Sequence, residues 1–483
     1  MSAGSIAVPQ LRLGPVGLLL ALTVATAAAA TTENGLFYGT IMIFGLTVTA
    51  LVLTRPVFGI VLMIVSFLFV YSKWIPMVRP FTPNVTLGAL LSLALLLRLY
   101  RERDFWFLRS TPVLIVAAIA IAYSLSTAAG KADLPRLSAG YAMWDEQTDL
   151  EKLLTRWAFL LFFVCFVDTR KRLTLVVAVL FAMVYAAVPA SFMMVMSGAG
   201  WGGYRARAGW LLHSAGNPNR LAFLCLFAAA ILWCYLADRR GRGGAWTKLF
   251  GVPGLVSLFV AAIATGSRSG FLNTLIVAAL LGARGRGARL RRLALGGLVL
   301  ACSVVVISEL LPEKAVYRAT APLADPASDV GQRSAEKRGH TASVGFEIFR
   351  RHPWLGVGMG NFAIHQQAID PKEIASAAHN SYVLALTEGG LLVFCLYCWL
   401  FAWCLRSLAR VERAYLVGRA PPIDLLWLVR ALRVNWVLLL SFSLFADVWI
   451  HIIFYVMVGL VVVLRRLHGE RERLFVHALE VRR

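Results

Sequence analysis

Four short stretches carry residues equipped for chemistry. Tyr204-Arg205-Ala206-Arg207-Ala208-Gly209 precedes Gly216-Asn217-Pro218-Asn219-Arg220, where an apolar run begins. Gly266-Ser267-Arg268-Ser269-Gly270 sits between two apolar runs with almost no room for a loop. Gln332-Arg333 through Arg338 leads to His352-Pro353-Trp354-Leu355-Gly356-Val357-Gly358, and His379-Asn380-Ser381-Tyr382 opens a further apolar run. Guanidinium groups suit phosphate because they are planar, always charged and present a fork of donors. An arginine pinned among spans costs about 2.5–3.5 kcal/mol at a helix centre and less near the interface, so a repeated exception asks for a reason. Arginines converging on one place would suit a pyrophosphate carried by a membrane lipid. The plainer uses are a snorkelling or helix-terminus cation for Arg268, a headgroup contact for Arg207 and a salt bridge to Glu336 or Glu347 for Arg338. At His379, a neutral imidazole can accept a proton from an attacking hydroxyl. Its plain alternative is capping or interfacial packing, with Asn380 and Ser381 as candidate caps.

The elements that must hold these residues are membrane helices. The chain of 483 residues is 59% hydrophobic and 15% charged, with a mean hydropathy of +0.72. A soluble protein of that length has no way to hide so much apolar surface. Apolar stretches lie near residues 11–30, 36–53, 57–71, 83–99, 112–127, 153–167, 172–196, 219–237, 250–265, 268–283, 293–311, 380–405, 425–446 and 448–465. They predict an all-α integral membrane protein, a polytopic bundle of about 12–14 spans. The first stretch resembles a signal peptide but is expected to be retained, because further spans follow directly. Alternating spans from a cytoplasmic N-terminus put the basic clusters Arg98–Arg103, Arg170–Arg172, Arg239–Arg242, Arg284–Arg292, Arg406–Arg419 and Arg465–Arg473 inside, as the positive-inside bias requires. Residues 128–152, 196–218, 312–379 and the link at Gly266–Ser269 then lie outside. Three parts are expected: N-terminal transmembrane helices over 1–311, one large periplasmic loop with short helices over 312–379, and C-terminal transmembrane helices with a cytoplasmic tail over 380–483. Within the loop, Ser334 to Arg350 predicts an amphipathic helix with Ala342, Phe346 and Phe349 on one face.

Several other readings lose weight. A net charge of +23 would suggest nucleic acid in a soluble protein, but here it flanks helices, and no nucleic-acid partner is expected. The seven cysteines, including the Cys395/Cys398 pair, lie in apolar stretches and read as small hydrophobes. Gly356-Val357-Gly358-Met359-Gly360 follows no strand and reads as a flexible turn rather than a nucleotide loop. Asp447 and His451 stand one helical turn apart in the last apolar hairpin. They suit a buried hydrogen-bonded pair, or a proton relay in a lipid-linked glycan flippase or transporter. No Asp, Glu or His cluster has metal-ligand spacing, and no cofactor is expected.

The ordered set Arg207, Gly216-Asn217-Pro218-Asn219, Gly266-Ser267-Arg268-Ser269-Gly270, Arg338, His352-Pro353-Trp354-Leu355-Gly356-Val357-Gly358, His379-Asn380-Ser381-Tyr382 and Glu388-Gly389-Gly390 resembles the O-antigen ligase and O-antigen polymerase superfamily. The resemblance covers roughly residues 200–410. It implies a membrane glycosyltransferase (GT-C-like) fold and an inverting, metal-independent transfer. The implied donor is a glycan on undecaprenyl pyrophosphate. The implied acceptor is a hydroxyl of lipid A–core for a ligase, another lipid-linked glycan for a polymerase, or a protein hydroxyl for a protein O-oligosaccharyltransferase. A ligase in the bacterial inner membrane, its site facing the periplasm, is expected. His379, Arg268 and Arg207 take the catalytic roles, and Arg338, Asn219, Arg205 and Asn380 bind substrate.

Overall fold

The computed structural model describes residues 35–68, 83–130, 146–196, 218–238, 245–265, 267–282, 297, 329–371, 378–416 and 425–480. These residues form α-helices and one short 3-10 turn, and no strand occurs among them. The helices are α1 (Gly35–Thr54), α2 (Pro56–Leu68), α3 (Pro83–Glu102), α4 (Thr111–Gly130), α5 (Glu146–Phe166), α6 (Arg170–Met196), α7 (Pro218–Asp238), α8 (Ala245–Ala264), α9 (Arg268–Gly282), α10 (Asp329–Arg351), α11 (Phe362–Ile369), α12 (Ser381–Leu416), α13 (Leu426–Phe442) and α14 (Ile452–Glu480). The protein is a polytopic all-α membrane protein. Among the described residues six helices are long and apolar enough to cross a membrane, and four shorter apolar helices accompany them. The expected spans at 11–30 and 293–311 lie outside the described residues, apart from residue 297.

The α7 helix is the bundle's centre. Residues 221–230 are all buried, as a helix apolar on every side must be. It packs against α13, α8 and α9, while α12 packs against α4, α13 and α10. By contrast, α3 leaves Leu93, Leu96 and Leu97 exposed, the side a helix turns to lipid.

α12 is long but broken. At Gly390 the backbone takes φ 65° and ψ −169°, a region essentially reserved for glycine. A break inside a membrane helix frees backbone groups that need new partners. Here the segment 353–358 supplies them. Val357 N–H donates to Thr387 O (2.9 Å) and Gly358 N–H to Glu388 O (3.0 Å), while Leu391 N–H donates to Pro353 O (2.8 Å). Ser126 Oγ on α4 donates to the same Glu388 carbonyl at 2.6 Å. The expected flexible turn at Gly356–Gly360 is therefore a packed seam. Its glycines permit close approach: a Cβ on Gly356 would lie 2.5 Å from Glu388 C, and one on Gly390 would lie 2.3 Å from Trp354 O.

The helix expected over Ser334–Arg350 is α10, extended at both ends. Its inward face differs from the expected one. Thr341, Val344, Gly345 and Ile348 are buried, whereas Ala342 and Phe346 are exposed. Gly345 sets the choice, since a Cβ there would lie 2.5 Å from Val383 Cγ1 on α12, so the smallest residue faces the neighbouring helix. The last apolar hairpin is also less regular than expected, because residues 443–451 between α13 and α14 are not helical.

Gly390→Ala should cost about 1–3 kcal/mol from the forced backbone conformation alone, before the clash with Trp354 O. Thermal unfolding of the purified protein in detergent should show a clearly lowered midpoint; an unchanged midpoint would mean the break is not needed.

Candidate functional site

The irregular segment 443–451 organises the site. Its carbonyls bond the first turns of α12 and α7, and Asn219 on α7 links the start of α9 to them. At α12, Ser381 N–H donates to Ser443 O at 2.8 Å. The Ser381 hydroxyl donates to Ala446 O at 2.8 Å and accepts from Val448 N–H at 3.0 Å. At α7, Asn219 Nδ2 donates to Phe445 O at 3.2 Å. Asn219 Oδ1 in turn accepts from Ser267 Oγ at 2.6 Å and from Ser269 Oγ at 3.1 Å. At α9, Ser267 Oγ accepts from Gly270 N–H at 2.9 Å, the N-cap geometry that makes Arg268 the first helical residue. Three helix N-termini, each the positive end of its dipole, are thus tied to one turn. Dipole ends of this kind favour an anion.

Side chains add charge to the same place. His379 precedes α12 in a left-handed conformation, φ 48°, uncommon for a residue with a Cβ. Its Nδ1 lies 3.6 Å from Asp447 Oδ2, too long for a hydrogen bond but close for a charge contact. The imidazole is half exposed, and Asp447 is mostly buried. Arg220, in the first turn of α7, interacts electrostatically with the same carboxylate. Arg338, on α10, holds its guanidinium 5.6 Å from the centre of the Phe445 ring, a cation–π distance. Asn380 Oδ1 caps α12, accepting from Tyr382 N–H (3.0 Å) and Val383 N–H (3.2 Å). Among the described residues no three His, Cys, Asp or Glu side chains gather as a metal site.

The structure therefore brings Asn219, Arg338, His379 and Asn380 around one turn. Arg268 joins them through its backbone position at the start of α9, between two serines that both bond Asn219. The Arg268 side chain, and the whole of Arg205 and Arg207, lie outside the described residues. Sequence reasoning misjudged Asp447. Asp447 and His451 are not a helical pair: Asp447 faces His379, and His451 Nδ1 accepts from Ile453 N–H at 3.4 Å at the start of α14. The signal for Asp447 in the sequence is its isolation, since it is the only acid from residue 425 to residue 464. An intramembrane acid is expected to have a partner.

Residues 253–398 match the family model described as O-antigen ligase. The chain carries a domain of the O-antigen ligase superfamily. No curated protein matches the chain. The superfamily segment runs from within α8 through Arg268, Arg338 and the packed seam to His379 and the upper part of α12. Asn219 and Asp447 lie beyond its two ends, and the fold brings both to it.

Ser381→Ala should remove the two side-chain hydrogen bonds that fix the turn and leave Val448 N–H and Ala446 O only their mutual bond at 3.1 Å. A loss of about 1–3 kcal/mol is expected. Thermal unfolding compared with Ser92→Ala, an exposed serine on α3, measures it; equal midpoints for the two variants would refute the turn's dependence on Ser381.

Proposed function

We propose that this member of the O-antigen ligase superfamily moves a glycan en bloc from undecaprenyl pyrophosphate to an acceptor hydroxyl, with lipid A–core as acceptor, at the periplasmic face of the inner membrane. The observation that carries the reading is the meeting of His379, Arg338, Asn219 and the start of α9 at the turn that holds Asp447. Arg268 and Arg207 grip the pyrophosphate, and the helix N-termini beside them stabilise the charge that develops on the leaving group. Arg205, Asn219 and Arg338 hold the donor or shape the acceptor side, and Asn380 fixes the first turn beneath His379.

His379 takes the proton of the acceptor hydroxyl as that oxygen attacks the anomeric carbon. The bond from that carbon to the pyrophosphate breaks, and the electron pair leaves with the phosphate. Attack opposite the leaving group inverts the anomeric centre. The free energy comes with the donor, and arginine neutralises the leaving group without a metal. Asp447 positions the imidazole from the Nδ1 side, so that Nε2 is the nitrogen presented to the acceptor.

The flippase reading used Asp447 and His451 as a relay along one helix. That geometry is absent: the two lie on a non-helical turn, and Asp447 is engaged with His379.

Complementation read on lipopolysaccharide gels tests the proposal. A strain lacking the protein should show core without O-chain; core carrying a single repeat would instead identify a polymerase. Arg268→Ala and His379→Ala should abolish transfer at normal expression, each by at least about a hundredfold. Asp447→Asn should lower transfer by about 10- to 100-fold while leaving donor binding intact. Full transfer by His379→Ala would remove the assigned base.

A further inference from the structure

α12 and α14 leave the site turn and run to the opposite end of the bundle, where a second feature stands. Trp403 lies about 30 Å along α12 from Ser381, and Arg465 about 20 Å along α14 from its start, at a rise of ~1.5 Å per residue. Between them is a cavity of about 530 Å³, walled by the link that precedes α4 and by the lower turns of both helices. Trp106, Arg109, Thr111, Trp403, Arg465 and Arg466 line it.

Its charge is arranged for an anion. Two carboxylates, Asp104 and Glu470, also face the cavity, but both are engaged. Asp104 Oδ1 accepts from Trp106 N–H at 3.0 Å, and Glu470 Oε1 accepts from Arg466 Nε at 2.7 Å. Arg466 lies over the Trp106 ring at 4.1 Å, and its Nη1 is buried with no hydrogen-bond partner. Arg465 lies over Trp403 at 4.8 Å and feels the like charge of Arg410. Like charges in a partly dry site repel, and an anion among Arg109, Arg465 and Arg466, which line the cavity, relieves the repulsion. Among the described residues, no carboxylate pairs with Arg109 or Arg465.

The surroundings choose the kind of anion. Phe105 is 47% exposed and Leu108 44% exposed on the same link, so apolar surface adjoins the cationic cavity. Two indoles line it, as they do at membrane–water interfaces. A free phosphate would use the arginines and leave this apolar rim wet. A phospholipid would use both.

We propose that this cavity binds the phosphate headgroup of an anionic phospholipid of the leaflet opposite the His379 site, with its acyl chains along Phe105 and Leu108. The site is separate from the glycan-transfer reading and stands without it. By the positive-inside bias that leaflet is cytoplasmic, where anionic lipids meet basic pockets between helices.

Native mass spectrometry of the full chain in detergent, with added phosphatidylglycerol or phosphatidylcholine, tests this. The wild type should retain phosphatidylglycerol at least about fivefold better than phosphatidylcholine. Arg109→Gln/Arg465→Gln should lose that preference, and Arg413→Gln, an exposed arginine away from the cavity, should keep it. Elution as a single species checks the fold, and the two single variants serve if the double variant fails to fold. Excess inorganic phosphate should leave lipid retention unchanged. Complete displacement by phosphate, or equal phosphatidylglycerol retention by wild type and the cavity variants, would overturn the lipid assignment.

Discussion

Backbone polar groups inside a bilayer have no water to fall back on. That constraint governs two irregular places among the described residues. At Gly390 the helix opens, and the segment carrying Pro353 to Gly358 closes the gap with its own amides and carbonyls. Between α13 and α14 the chain leaves the helix for residues 443–451, and Asn219, Ser381 and the start of α12 take up its carbonyls. Each irregularity is tolerable because side chains and backbone from distant parts of the sequence meet it. The turn at 443–451 also lies beside the residues best suited to chemistry, where it joins the starts of α7 and α12.

The electrostatic character of the site follows from that geometry. Helix N-termini, Arg220 and Arg338 all place positive potential near the turn, against the carboxylate of Asp447. A diphosphate is a suitable counterpart in charge. The acid serves a second purpose in such surroundings, for it gives the His379 imidazole a fixed neighbour on one side. Asp447 Oδ1 is buried and accepts no hydrogen bond, so the carboxylate is committed to charge partners rather than to a network of its own.

Much of the bundle was legible as hydropathy. Twelve of the apolar stretches coincide with α1 to α9 and α12 to α14, because span length and composition are local properties. Arg338 and His379, which the structure places at the 443–451 turn, drew notice for a related reason: charge in an apolar setting stands out in a single sequence. What escaped was tertiary. Ser443 to Ile450 is apolar enough to read as helix, and only bonds from Asn219 and Ser381 reveal why it is not. The glycines at 356 and 358 read as slack chain, although their backbone is pinned to a helix break some thirty residues further on. The inward face of α10 followed a close approach at Gly345 that hydrophobicity alone does not encode.

The joint at Gly390 has a mechanical side. An uninterrupted helix behaves as a stiff rod and carries torque from one end to the other. Here the rod is jointed, and its upper arm is stitched to the segment following α10 by the amides of Val357 and Gly358. The same segment also holds the lower arm, where Leu391 N–H donates to Pro353 O, and Ser126 on α4 donates to Glu388 O, so the joint is braced on both sides. A load on the tip of α12 is therefore shared with α4 and with the segment following α10 instead of passing down a single helix.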